Sequence, residues 1–410
     1  MNFDLSPEQI ELKSLTAKAA QQILAPIVED DEKEGRFRTE IIEELGKLGL
    51  TGIPTPSEYG GVGLGYLEYA IAIEEIAAIS PAYAVSIAVS GLPQIILNKF
   101  GSEEQKKKYI PPLAQGKHIG SFCLTESQSG SDAAALKTTA TLQPERKQDV
   151  GATQYNDHYI INGTKLFITQ ANLASTLIVF ARTAGGISAL LVEKATPGLS
   201  IGKIEHKMGI NISPTCEVVF ENVKIPKSNL IGKEGDGFKI AMSALDSGRI
   251  TIGATAVGLS RAAFEYSLNY AKNRKQFNKP ILDFQAIQFM LADMYTLLES
   301  SRLLVHKAAF MKDQDKPFTQ EASIAKLFST DAAMKITTDA VQILGGYGYM
   351  KDYPVERYFR EAKVLQIVEG TNQIQRMVII LCRSNILFTL RLKRSCSFKS
   401  SSIRSTLAFC

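Results

Sequence analysis

The hydrophobic period of this chain changes twice, and no single motif restricts its architecture as much. From Pro7 to about residue 116 apolar residues recur at helical spacing. Capping signals mark the starts: Ser6 with Pro7 and Gln9, Thr39 ahead of Ile41, Ile42, Leu45 and Leu48, and Ser102 with Gln105. Residues 54–65, with Gly60, Gly61 and Gly63, read as a loop, and two Ala/Ile-rich helices follow from 66 to about 80 and from 81 to about 100. Near Ser121 the pattern turns to short β-rich runs at 121–124, 158–161, 165–169, 176–181, 188–192 and 216–220. Asn162-Gly163 predicts a type I′ hairpin between two of them. Helical spacing returns at Gly237 and lasts to about Arg376. This order predicts an α+β chain: an N-terminal helical domain (1–120), a middle β domain (121–233), a C-terminal helical domain (234–381) and a tail (382–410).

Composition narrows the function classes. Of 410 residues 45% are hydrophobic and 21% charged, ordinary globular proportions. The net charge of +4 comes from the tail: from Cys382 onward there are six Lys/Arg and no acid, so the body carries 4 − 6 = −2. A near-neutral body argues against a nucleic-acid partner. No apolar run reaches the ~20 residues of a membrane span. Met1 leads straight into a helix start, so no signal or transit peptide is expected, and a bacterial-type cytoplasmic location is. The five cysteines form no CxxC, and His118, His158, His206 and His306 show no metal-ligand spacing, so no metal site is expected.

The stretch with the most chemical content is Tyr353 to Arg376. There Glu369 follows an apolar-leaning helical run (Val364, Leu365, Ile367, Val368) and is followed at once by Gly370. A glycine turn can aim that carboxylate into a pocket, where apolar walls raise its pKa toward that of a usable base; a solvated Glu at a helix end is the commoner use of such a pattern.

This stretch resembles the C-terminal signature of the acyl-CoA dehydrogenase family, and the resemblance runs from about Phe3 to about Val378. Three more segments match in order. Phe122-Cys-Leu-Thr-Glu-Ser-Gln-Ser-Gly-Ser-Asp132 is a strand entering a Gly/Ser-rich turn, with Ser127 and Ser129 where the family usually has Pro and Ala. Lys165-Leu-Phe-Ile-Thr-Gln170 sets an aromatic and a hydroxyl on one strand face. Arg274-Lys-Gln-Phe277, Phe284-Gln285 and Gln342-Ile-Leu-Gly-Gly346 complete the set. The implied fold has an N-terminal helical domain, a middle antiparallel β-barrel or sandwich, and a C-terminal four-helix bundle. The implied cofactor is FAD, held without the Gly-x-Gly-x-x-Gly that this chain lacks.

The resemblance also assigns residues. Phe122, Leu124, Thr125, Gly130, Ser131, Phe167, Ile168 and Thr169 would face the flavin. Arg274, Gln276, Phe277, Phe284, Gln285, Gln342, Gly345 and Gly346 would reach the FAD of a neighbouring subunit in a homotetramer, with Thr371 and Gln373 also on the cofactor. Ser131, Asp246, Arg249 and Gly370 would meet the acyl-CoA, although Arg249 is also readable as a structural partner of Asp246. Glu369 would remove the α-proton; the branch with its base just before the Arg is set aside because Gly248 stands there. The β-hydride would pass to FAD, giving a trans-2-enoyl-CoA, and the electrons to an electron-transfer flavoprotein. A flavin monooxygenase or oxidase on the same fold, and an inactive flavin- or CoA-binding protein, are the other classes. Chain length depends on packing around residues 91–96 and Val368; the body leans toward short or medium acyl groups, branched ones included. The tail, with three Cys and seven Ser, reads as disordered from Ser395 and as foreign to the fold, a basic partner- or membrane-binding tail being the other reading.

Overall fold

The computed structural model describes residues 4–144, 146–149, 152–155 and 157–384. The expectations for the tail from Asn385 onward lie outside the described residues.

Helices begin where local chemistry satisfies their first N–H groups. At α1 (Pro7–Ala19) the Ser6 N–H donates to the Gln9 side chain at 3.0 Å while the Gln9 N–H donates back to Ser6 Oγ at 3.3 Å. After α2 (Val28–Glu34), helix α3 (Thr39–Lys47) departs from expectation: Arg38, not Thr39, is its N-cap, and no side chain caps it. The Arg38 guanidinium instead pairs bidentately with Asp31 at 2.7 and 2.8 Å. Helix α4 (Tyr66–Ala77) is capped from far along the chain, because Asp313 accepts from the Tyr66 and Leu67 N–H groups at 2.7 and 3.0 Å. Helices α5 (Pro81–Phe100) and α6 (Glu103–Ala114) close the first region.

The strands are β1 (Gly120–Cys123), β2 (Thr139–Gln143), β3 (Arg146–Asp149), β4 (Ala152–Tyr155), β5 (His158–Thr169), β6 (Thr176–Thr183), β7 (Gly186–Glu193), β8 (Leu199–Ile204), β9 (Thr215–Pro226) and β10 (Leu230–Ile231). One sheet runs β10-β7-β6-β2-β5-β9-β8, mostly antiparallel; β1 joins β6 in parallel, and β3 and β4 form a separate ribbon. The expected Asn162-Gly163 hairpin is absent. Strand β5 passes straight through both residues and pairs with β9 on either side. Gly163 sits at φ +146°, where a β-carbon would strike Thr138, and a register shift falls between Ile161 and Gly163. The glycine serves a bulge and a close approach to residue 138 rather than a chain reversal.

The last region holds α7 (Gly237–Asn273), a short ribbon of β11 (Lys275–Gln276) and β12 (Lys279–Pro280), then α8 (Gln285–Asp313), α9 (Thr319–Leu344), α10 (Pro354–Leu365) and α11 (Asn372–Arg383). Helix α9 is central, packing on α7, α8, α10 and α11, while α4 and α5 lie on α7. Charge pairs between buried acids and partly buried arginines lock α4 to this layer: Arg261 grips Glu75 at 2.6 and 2.7 Å, and Arg302 holds Glu74 at 2.8 Å. Removing either arginine would strand a buried carboxylate, at a cost of roughly 3 kcal/mol. Among the described residues no helix is long and apolar enough to cross a membrane.

Candidate active site

Helix α10 stops at Leu365, and the Ile367 and Val368 N–H groups turn back onto Val364 O. Glu369 and Gly370 then take φ +54° and +87°, two left-handed residues in a row, which reverse the chain before Thr371 caps α11. The conformation is free for Gly370 and costs roughly 1–2 kcal/mol for Glu369. Buried side chains hold it. The Gln375 amide donates to Glu369 O at 3.0 Å and Gly370 O at 2.8 Å. Lys326 Nζ donates to Gly370 O at 2.9 Å and to Asn372 Oδ1 at 2.8 Å, and the Asn372 amide donates to Asp331 at 2.7 Å and Thr330 at 2.9 Å.

The turn aims the Glu369 carboxylate at α7. Part of the residue keeps contact with solvent, yet Oε2 is sealed and meets no hydrogen-bond partner among the described residues. A β-carbon at Gly248 would lie 2.5 Å from Oε2 and 2.7 Å from Cδ, so this carboxylate fits only because residue 248 has no side chain. Burial pushes its pKa up to about 7, against the opposing charges of Arg249 and Lys326. The Glu369 N–H donates to no acceptor among the described residues. Arg249 does hold Asp246, at 2.6 Å, and Thr319 donates to the other Asp246 oxygen at 2.6 Å. Both oxygens of Asp246 are therefore engaged inside the protein, and Arg249 carries the structural contact that its spacing allowed.

The two strand segments of the β domain come together. Leu166 N–H donates to Thr125 O at 2.9 Å, and Ser121 Oγ to Thr169 O at 2.8 Å. Behind them Lys165, fully buried, donates to Leu124 O at 3.0 Å and to Glu126 at 2.8 Å. Burial pulls the ammonium down, while Lys165 and the Lys137 and Thr138 N–H groups hold Glu126 near about 2. With that many donors on the carboxylate, the ionised pair is the state that persists. In front, the Phe167 ring is 60% exposed at a left-handed φ of +57°, Ile168 beneath it is buried, and the Thr125 and Thr169 hydroxyls make no hydrogen bond among the described residues. Phe122 packs on Phe180 at 4.9 Å, Leu124 is buried, and Gly130 and Ser131 lie in the exposed turn.

The bundle segments meet elsewhere. A cavity of about 460 Å³ is lined by Arg274, Gln276, Gly345, Gly346 and Tyr347 among others, and the Arg274 guanidinium stacks 5.3 Å from the Tyr347 ring. Nothing lies within 4 Å of a β-carbon built on Gly345 or Gly346. Phe277, 87% exposed, meets Phe284 edge-on at 5.9 Å, and Gln285 and Gln342 are exposed beside this group. No hydrogen bond or ring contact among the described residues joins this group to the strand segments. Thr371 spends its hydroxyl as the α11 cap, and Gln373 is exposed. Sequence reading passed over Lys326, Asn372 and Gln375. A signal existed for Lys326: it shares the Ala322, Ser329 and Ala333 face of α9, all of it buried.

Comparison with known proteins covers nearly the whole chain. Three family models match in order: Acyl-CoA dehydrogenase, N-terminal domain (residues 6–117), middle domain (121–223) and C-terminal domain (235–381). Among relatives, an acyl-CoA dehydrogenase of Bacillus subtilis is 48% identical over 383 residues, 92% of this chain and 97% of the relative. A short-chain specific acyl-CoA dehydrogenase of Clostridium acetobutylicum is 44% identical across 92% of this chain and 98% of its own. An acryloyl-CoA reductase (NADH) of Anaerotignum propionicum is 44% identical across 92% and 95%. Among solved structures, butyryl-CoA dehydrogenase from Megasphaera elsdenii superposes with a TM-score of 0.88 at 42% identity, covering 94% of this chain and 100% of that one. A chain from work on the electron transferring flavoprotein of Acidaminococcus fermentans matches at 0.88 and 45%, covering 93% and 99%. A glutaryl-CoA dehydrogenase from Mycobacterium smegmatis in complex with FADH2 matches at 0.86 and 29%, covering 93% and 95%.

Proposed function

This chain belongs to the acyl-CoA dehydrogenase family, and from that premise we propose that it oxidises short acyl-CoA thioesters at Glu369. The carrying observation is the carboxylate itself: sealed, unpartnered, raised to about 7 and seated in a gap that only Gly248 leaves. A group with that pKa is divided between its two forms near neutrality, as proton transfer from a weak carbon acid requires.

FAD is the family's cofactor, and the residues present suit it. An exposed aromatic face and two uncommitted hydroxyls stand on the strand side, and an Arg with two open glycines on the bundle side. Phe167, Thr125 and Thr169 would hold the ring system, and Arg274 with Gly345 and Gly346 the diphosphate end, from a second copy of the chain in a homotetramer. Bound FAD supplies the two-electron acceptor for the β-hydride. Glu369 takes the α-proton onto its carboxylate. Its own backbone N–H, which has no acceptor among the described residues, donates to the thioester oxygen as negative charge grows there. The product is a trans-2-enoyl-CoA, and an electron-transfer flavoprotein in the cytoplasm accepts the electrons.

The short acyl preference rests on the Clostridium and Megasphaera relatives, and the Anaerotignum relative favours a second reading, the same site run toward reduction. The test is anaerobic addition of acyl-CoAs of increasing length to FAD-replete protein, read by loss of flavin absorbance. Fastest bleaching with butyryl-CoA is the expected result. No bleaching by any acyl-CoA would leave the reductase direction or an inactive ligand-binding protein.

A further inference from the structure

We propose that Lys326 is a positioning residue for the reaction, clamping the Glu369-Gly370 turn from α9 and supplying the cation that faces the base. This rests on Glu369 being the base.

Lys326 Nζ donates to Gly370 O at 2.9 Å and Asn372 Oδ1 at 2.8 Å, and the side chain is fully buried in the bundle. Both contacts lie just past the left-handed Glu369, so they bear on where its side chain points. A buried lysine is costly unless its ammonium is satisfied, and here one acceptor lies in the turn that carries the base and the other is the first residue of the helix that follows it. Gln375 shares the Gly370 carbonyl but is neutral. The groups facing Glu369 are Lys326 from α9, Arg249 from α7 and the phenol of Tyr66 from α4, which burial keeps neutral. Arg249 is already taken up by Asp246 and Ser323. The groups facing Lys326 are Glu369, Arg249 and Asp331, and burial draws its pKa down to about 7. A protonated Lys326 favours ionised Glu369; losing the cation shifts Glu369 toward its protonated, unreactive form.

The test uses Lys326→Met, Lys326→Gln and Lys326→Arg in FAD-replete protein, with anaerobic bleaching by butyryl-CoA measured against pH. Glu369→Gln runs in parallel. Lys326→Met is expected to slow bleaching about 10²-fold at neutral pH, in line with a small misplacement of a reacting group. Its acidic limb should move to higher pH, whereas Lys326→Arg, which keeps the cation, should hold the limb near that of the native protein. An unmoved limb in Lys326→Met or, where that variant does not hold FAD, in Lys326→Gln overturns the proposal, whether or not the rate falls. Failure of all three variants to fold with FAD also overturns it, because Lys326 would then be holding the domain rather than the base. Native-like bleaching by Glu369→Gln sinks the assignment of the base instead, so the two failures are separable.

Discussion

Glu361 and Glu369 belong to the same C-terminal stretch, and burial pushes both carboxyls up to about 7. Their settings differ in every other respect. Glu361 lies inside α10, with Arg357 one turn earlier 3.4 Å from both its oxygens and the Glu32 charge nearby. Glu369 lies in a left-handed turn with a sealed, unpartnered Oε2 against a glycine. A raised pKa is common to a structural ion pair and to a reactive group. What separates them is whether the surrounding protein has already used the oxygens.

The strongest way to break this comparison is to neutralise each carboxyl in turn. Glu369→Gln should retain FAD and slow substrate bleaching at least ~10³-fold, the scale of removing a general base. Glu361→Gln should leave the bleaching rate within about threefold. Equal losses in the two variants would mean that burial alone, not an open oxygen, marks the site.

Stability should sort them the other way. At pH 8, where the carboxyl is ionised, Arg357→Met leaves Glu361 buried without its countercharge and should cost roughly 3 kcal/mol in denaturant unfolding. For Glu369 the sign follows from its raised pKa: its contribution is fully present below the unfolded value of about 4.5 and is lost as pH rises through about 7. Glu369→Gln should therefore gain roughly 1–3 kcal/mol over the native protein at pH 8 and nothing at pH 4. A loss at pH 8 would show that the ionised carboxylate has partners in solution.

Gly248→Ala probes the gap itself. In an exposed helix the change would stabilise by up to ~1 kcal/mol, but here the new methyl group meets the carboxylate at 2.5 Å. Overpacking should cost about 1–2 kcal/mol of transition-state stabilisation, a fall of roughly five- to thirtyfold in bleaching rate, with FAD retained. An unchanged rate would place the working carboxylate elsewhere than in this gap.

The pH limb of the native protein probes the same gap without any substitution. On the proposed assignment Glu369 acts only when ionised, so the bleaching rate should fall about tenfold per pH unit below about 7 and level off above it. A limb near 4.5 would mean that substrate binding leaves the carboxylate solvated.

The sequence by itself determined the order helix, strand, helix, because hydrophobic period and capping are local: Ser6 and Gln9, or Ser102 and Gln105, find each other within one turn. It also determined that Glu369 precedes a glycine and that residue 248 has no side chain. Tertiary structure decided the rest, since each remaining choice depends on groups distant in the chain. Asn162-Gly163 lost its turn because β9 offered pairing on both sides and Thr138 filled the glycine's open face. Thr39 does not cap its helix; Arg38 holds the N-cap position, with its guanidinium on Asp31 from the preceding helix. Only the folding of α7 and α9 against one turn put Gly248, Arg249 and Lys326 around the same carboxylate, and its pKa comes from that desolvation rather than from any residue beside it in sequence.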